Sequence, residues 1–329
     1  MSDRQWTDLE LYIIGEHIED FQDGFITRRE LLRRVTLITG SAAVSLALLP
    51  TLGCNVNAPA GDPAARASSV PSQTAVATAA ATPFATPPAA RTTDGVTVKA
   101  DDPRINAGPV TDLKGQDGAA LIGYRAAPKG TSLGGVLVVQ ENRGVTEHIR
   151  DVVRRAATAG FTALAIDVLS REGGEKLGND YSGALAKRTP EQILADMRVG
   201  LDALERTERG KLATVGFCFG GGVVWQLVSA GAPLKAAAPF YGPKPPDITG
   251  LTKTKTAVFA VYGELDTRIT ASGPEMEAAL KQSGAPYQST VYPAANHAFH
   301  NDTSERYAAD PAQKAWIGTI EWFKRHLAG

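Results

Sequence analysis

The sequence predicts an α/β fold with a mostly parallel central sheet covered by helices on both faces. Three observations carry that reading. Short apolar, β-branched runs recur between residues 135 and 292, and they are continuous rather than alternating, as in strands buried on both sides. Segments of helical spacing separate them, so the strands are joined by crossovers and run parallel. Glycine, proline and capping residues mark the junctions.

Taken in order, residues 135–141 form the first long run and end in Gln140 and Glu141. Ile149, Val152, Val153 and Ala156 give residues 148–160 helical spacing, and Gly160 stops that helix. Residues 161–169 are the next apolar run. Thr189, Pro190 and Gln192 then open a helix, with threonine as N-cap, proline at the first position and glutamine at the capping-box position. Residues 212–217 read as strand, followed by glycines and a helical segment at 223–230. Strands near 236–241 and 257–262, a helix at 274–283 and a strand near 289–292 continue the alternation. The last helix, 311–327, carries Trp316, Ile320 and Phe323 on one face. Ligands of such sheets bind outside the carboxyl ends of the strands, which makes the polar residues closing each strand the ones to examine.

Composition narrows the function. The chain has 329 residues, 43% of them hydrophobic, and a net charge of -1. It has enough apolar surface for a core and no global field to attract nucleic acid or an anionic membrane. Two cysteines, Cys54 and Cys218, exclude a disulfide scaffold and a zinc site built on several thiolates. No metal or other cofactor is expected.

The N-terminal third differs from the rest. Arg28 and Arg29 begin a basic cluster that runs to Arg34, and a largely apolar stretch follows at 35–52. This order resembles a twin-arginine translocation signal. The alternatives are a buried helix of the folded domain or an uncleaved anchor, the run being close to the about 18 residues needed to span a bilayer. Thr51-Leu52-Gly53-Cys54 resembles a bacterial lipoprotein cleavage site, which implies a diacylglyceryl group on Cys54. Residues 55–95 are rich in Ala, Pro, Thr and Ser and bury too little to offset chain entropy. The expected organisation is therefore an export signal at 1–54, a disordered stalk at 55–95 and a folded domain at 96–329. The expected partner in export is the twin-arginine machinery. The product would be extracytoplasmic or periplasmic and lipid-anchored, touching the membrane only through signal or lipid, with a monomeric mature domain.

Gly216-Phe217-Cys218-Phe219-Gly220-Gly221-Gly222 lies between a strand and a helix. Small residues flanking the centre permit a tight strand-turn-helix elbow that raises the central side chain above the sheet. The helix start favours an anion there, and so a thiolate. A buried, inert cysteine and a Gly-rich phosphate loop are the other readings, the second weakened because no Lys-Ser or Lys-Thr follows. A cysteine nucleophile needs a base, and the base an orienting acid. Asp266 closes one buried strand and His297 follows the next, in the chain order of α/β-hydrolases. Glu264 competes with Asp266, and His300 with His297.

Gly-Phe-Cys218-Phe-Gly-Gly, Gly-Glu-Leu-Asp266, Asn-His297-Ala-Phe and Gln140-Glu141-Asn142-Arg143-Gly144 together resemble the dienelactone hydrolase (carboxymethylenebutenolidase) family, a cysteine branch of the α/β-hydrolase fold. The likeness runs from about residue 96 to the C-terminus. It implies that Cys218 is the nucleophile, His297 the base and Asp266 its orienting acid. Glu141 would hold the resting thiol and take up its proton, and the N–H groups of Phe219 and Asn142 would form the oxyanion hole. The resemblance also implies two arginines that grip a substrate carboxylate. Arg171 matches the first; where the second should follow the histidine, the chain reads Ala298-Phe299-His300-Asn301, and Arg143 is a possible substitute. The expected activity is hydrolysis of a small ester or lactone through an acyl-enzyme. A tethered α/β-hydrolase-fold binding protein without turnover is the alternative from another class.

Overall fold

The computed structural model describes residues 5–61 and 97–328, so most of the stretch expected as a stalk lies outside the described residues. The described helices are α1 (Asp8–Gln22), α2 (Arg28–Thr39), α3 (Ala42–Thr51), α4 (Glu147–Thr158), α5 (Tyr181–Leu185), α6 (Pro190–Glu208), α7 (Phe219–Ser229), α8 (Thr267–Thr270), α9 (Gly273–Ser283) and α10 (Ala309–Leu327). The strands are β1 (Ile105–Val110), β2 (Gly123–Pro128), β3 (Gly135–Val139), β4 (Thr162–Ile166), β5 (Leu212–Phe217), β6 (Ala236–Phe240), β7 (Ala257–Gly263) and β8 (Tyr287–Tyr292). The described residues form two compact units: 5–61 with Leu177–Pro190, and 97–176 with 191–328.

In the first unit, Thr7 and Glu10 form a reciprocal capping box that starts α1, with Glu10 N–H donating to Thr7 Oγ1 (3.1 Å) and Thr7 N–H to Glu10 Oε2 (2.9 Å). Ile13, Ile14, Ile18 and Phe21 are its buried apolar residues. Thr27 caps α2, which ends at Gly40 in the left-handed region (φ 75°). No single helix among the described residues is long and apolar enough to cross a membrane; α2 and α3 meet that test only as a pair, bent by 105°. Arg28 and Arg29 are exposed. Cys54 is buried, and burial pushes its thiol pKa up. Residues 177–190 fall, by sequence, inside the domain expected at 96–329, yet they pack with the N-terminal helices. His17 Nε2 lies 2.8 Å from Ser182 Oγ, and Arg33 pairs with Asp180 at 3.0 Å.

The second unit is built on an eight-stranded sheet in the order β1-β2-β4-β3-β5-β6-β7-β8. β1, β2 and β4 pair antiparallel, and every pairing from β4 through β3 to β8 is parallel. Each residue of β3, β4, β5, β6 and β7 is buried, which requires cover on both faces. Helices α4, α7 and α10 pack on the sheet, while the edge strands β1 and β8 stay partly exposed. This is the mostly parallel, helix-covered sheet that the apolar runs predict. The pattern does not announce β1 and β2, whose sequences INAGPV and GYRAAP hold no continuous apolar run.

Candidate active site

Phe217 ends β5, Cys218 stands alone at the turn, and α7 begins at Phe219. Cys218 has φ 57° and ψ -124°, a conformation that costs a non-glycine residue of order 1–3 kcal/mol and persists only where its surroundings enforce it. The surroundings are specific. Cys218 N–H donates to Phe240 O (3.1 Å) at the end of β6, and Cys218 C=O accepts from Gly221 N–H at 2.9 Å. A Cβ on Gly216 would overlap the Gly220 carbonyl, and one on Gly220 would overlap the carbonyls of Val139 and Gln140. The absent side chains let the start of α7 close on the ends of β5 and β3. Phe219 N–H, in the first turn of α7, has no acceptor within the helix by position.

The neighbouring strand ends supply the acid and the imidazole. Asp266 follows β7 and His297 follows β8, and these parallel strands end in register, Gly263 opposite Tyr292. His297 Nδ1 lies 2.6 Å from Asp266 Oδ2, with both side chains buried. A ring nitrogen of His297 lies within 4.8 Å of Cys218 Sγ. The two competitors sit elsewhere. Glu264 Oε2 accepts from Ala294 N–H (2.8 Å) and braces the loop after β8. His300 is stacked on Phe217 (ring centroids 4.8 Å apart) and packs edge-on against Phe240. Burial, and then the charges of Arg155 and His148, hold its pKa well below the usual histidine value, so its ring is neutral.

The segment 140–145 after β3 is pinned from β4. Asp167, buried, accepts from Val145 N–H (3.0 Å) and Leu169 N–H (2.8 Å). Burial nevertheless raises its pKa, more than these bonds lower it. On this segment Glu141 Oε2 accepts from Asn301 Nδ2 at 2.7 Å, while Glu141 Oε1 is buried without a hydrogen-bond partner among the described residues. Asn142 is half-buried and Arg143 exposed. Tyr241 also belongs to the site, although no motif marked it. Its ring meets that of His297 edge-on at 5.1 Å. Burial raises its phenol pKa well above the ordinary value, and Glu141 and Cys218 are close enough to add to that shift. Its position at the carboxyl end of β6 was the available signal.

Arg171 is placed apart from these groups in its bonding. Its Nε and Nη2 donate to Asp117 (both 2.8 Å), and Nη1 and Nη2 donate to Asp196. The paired guanidinium pulls the Asp117 pKa down to about 2. All three nitrogens of Arg171 are therefore engaged by carboxylates of the chain itself, where the resemblance implies a grip on substrate.

A model of the dienelactone hydrolase family matches residues 121–327. A candidate carboxymethylenebutenolidase of Escherichia coli O157:H7 is 36% identical over 262 residues, spanning 73% of this chain and 94% of its own. The crystal structure of a candidate dienelactone hydrolase from Klebsiella pneumoniae superposes with a TM-score of 0.61 at 30% identity, covering 67% of this chain and 98% of that one. The acylaminoacyl peptidase of Pyrococcus horikoshii, at 15% identity, shares the fold alone: TM-score 0.55, over 68% of this chain and 42% of that one.

Proposed function

This chain belongs to the dienelactone hydrolase family of α/β-hydrolase-fold proteins, and on that premise we propose that it hydrolyses small esters or lactones with Cys218, His297 and Asp266. It is a hydrolase of carboxylic ester bonds, as its family and fold neighbours indicate. The observation that carries the finer reading is the buried His297–Asp266 pair, with an imidazole nitrogen within 4.8 Å of a cysteine held on a strained elbow.

In this reading, the Cys218 proton passes to Glu141 and the thiolate attacks the ester carbonyl, forming an S–C bond. The carbonyl pair moves onto oxygen, where the N–H groups of Phe219 and Asn142 receive it. Collapse of this intermediate breaks the C–O bond and releases the leaving group as its oxyanion. His297 then takes a proton from water, and the hydroxide opens the thioester. The thiolate recovers its proton from Glu141, and the His297 proton neutralises the released oxyanion. Asp266 keeps the proton of the resting imidazole on Nδ1, so that Nε2 is the base.

Substrates without a carboxylate suit this site. Arg171 is bound by Asp117 and Asp196, and Asn301 is uncharged. A p-nitrophenyl acetate assay with a pre-steady-state burst tests the mechanism. The expected result is a burst stoichiometric with acylated Cys218, absent in Cys218→Ala. Wild-type turnover by Cys218→Ala would overturn it, and ligand capture without any burst would favour a binding protein.

The same proposal places the enzyme outside the cytoplasm, exported through the twin arginines and anchored by lipid on Cys54. The supporting features are Arg28, Arg29 and the apolar run before Cys54. Replacing both arginines with lysine should retain precursor in the cytoplasm, and mass spectrometry of the mature N-terminus should find acylated Cys54. Unchanged export, or an intact Met1, would sink the respective half.

A further inference from the structure

We infer that Asn301 is a positioning residue that aims Glu141 at the Cys218 thiol while leaving the carboxylate its full charge, an inference that rests on the cysteine-hydrolase reading above. Asn301 Nδ2 donates to Glu141 Oε2 at 2.7 Å. The orientation of the amide is not arbitrary. Asn301 Oδ1 accepts from the backbone N–H of Thr303 (3.0 Å) and lies 2.6 Å from its hydroxyl. A backbone N–H only donates, so the oxygen of the amide must face Thr303 and its NH₂ must face Glu141. The backbone around it is closed as well, with Asn301 N–H donating to Ala298 O (3.0 Å) and Ser304 N–H to Asn301 O (2.9 Å). The loop that carries His297 thus reaches across to the segment after β3 and grips one carboxylate oxygen.

The other oxygen is what makes the grip functional. Glu141 Oε1 is buried and has no hydrogen-bond partner among the described residues. An unmatched carboxylate oxygen is costly to bury, and it is a ready proton acceptor. β3 and β5 lie side by side and parallel with Val139 opposite Gly216, so Glu141 and Cys218, each two residues further on, leave neighbouring strands at the same end of the sheet, and Gly220 closes on the carbonyl of Gln140. An amide fixes the carboxylate without cancelling its charge; a guanidinium in that place would do both. The step served is one proton transfer: the S–H bond of Cys218 breaks, an O–H bond forms on Glu141 Oε1, and the thiolate remains. Asn301 takes no proton in it.

The test is a double-mutant cycle between Asn301→Ala and Glu141→Gln. Each variant is read by its rate of Cys218 alkylation with iodoacetamide and by kcat and KM for p-nitrophenyl acetate. Asn301→Ala should slow alkylation and lower kcat/KM by about 10- to 100-fold, because both report formation of the Cys218 thiolate and its attack. In the Glu141→Gln background the same substitution should add almost nothing, because its effect passes through Glu141. Equal losses in both backgrounds, or wild-type alkylation in Asn301→Ala, would overturn the inference. Should Asn301→Ala fail to fold, Asn301→Asp retains the acceptor for Thr303 and sets a carboxylate against Glu141; it should show the same losses, and wild-type rates in it would be equally fatal. Cys218→Ala separates the layers: activity surviving there refutes the cysteine mechanism itself, whereas failure of the cycle with Cys218→Ala inactive refutes only the role of Asn301.

Discussion

His297 Nδ1 and Asp266 Oδ2 lie 2.6 Å apart, joining the loops that follow two adjacent parallel strands, β7 and β8. Neither residue is near the other in sequence, and both side chains are shielded from water, so the contact is short and charge-assisted once the imidazole is protonated. With Nδ1 held by the carboxylate, Nε2 is the nitrogen left to accept a proton.

Asp266→Asn tests that orientation. An asparagine amide can donate to Nδ1 and so trap the wrong tautomer. The expected outcome is a loss of about 10²- to 10⁴-fold in kcat for p-nitrophenyl acetate, with the burst retained and little change in thermal midpoint. Activity within threefold of wild type would show that Asp266 does not orient the base.

Gly220→Ala probes the elbow. Its Cβ would overlap the backbone carbonyls of Val139 and Gln140, which cannot swing aside as a flexible side chain would. We expect a stability loss of about 3 kcal/mol or more, or failure to fold, measured by urea denaturation. A variant as stable as wild type would mean that α7 does not need this close approach.

His300 predicts a pH dependence of stability. Burial depresses its pKa in the folded protein, whereas in the unfolded chain it titrates near 6.5. Below about pH 6.5 the unfolded state therefore binds a proton that the folded state refuses, and stability falls as pH drops, by up to about 1.4 kcal/mol per pH unit. His300→Phe can stay stacked on Phe217 and carries no titrating group. Its stability should fall less steeply between pH 6.5 and 5 than that of wild type, and parallel curves would dismiss His300 as the source.

Arg171 separates structure from substrate charge. Arg171→Ala removes both guanidinium bonds from the buried Asp196 and should cost about 1.5–3 kcal/mol in urea denaturation. The ratio of kcat/KM for a lactone with and without a carboxylate should stay within about threefold. Undiminished stability with selective loss of the anionic substrate would instead make Arg171 the substrate clamp.

Much of this was written locally. The continuous apolar runs of β3 to β7 state that those strands are covered on both faces, because a strand exposed on one side would alternate. The glycines around Cys218 state an elbow, because only a chain without Cβ atoms can turn and close so tightly. Residue type and spacing likewise placed a carboxylate and an imidazole after the following strands. Which of them meet was a tertiary decision: Asp266 and not Glu264, His297 and not His300, were chosen by the register of β7 against β8 and by the aromatic stack on Phe217. The same holds for Arg171, whose partners Asp117 and Asp196 come from distant segments, and for the tie of Asn301 to Glu141 across 160 positions. Periodicity and capping depend on neighbours a few residues away and are legible in one dimension. A side chain's partner depends on where the fold lays another part of the chain beside it, and that the tertiary structure alone decided.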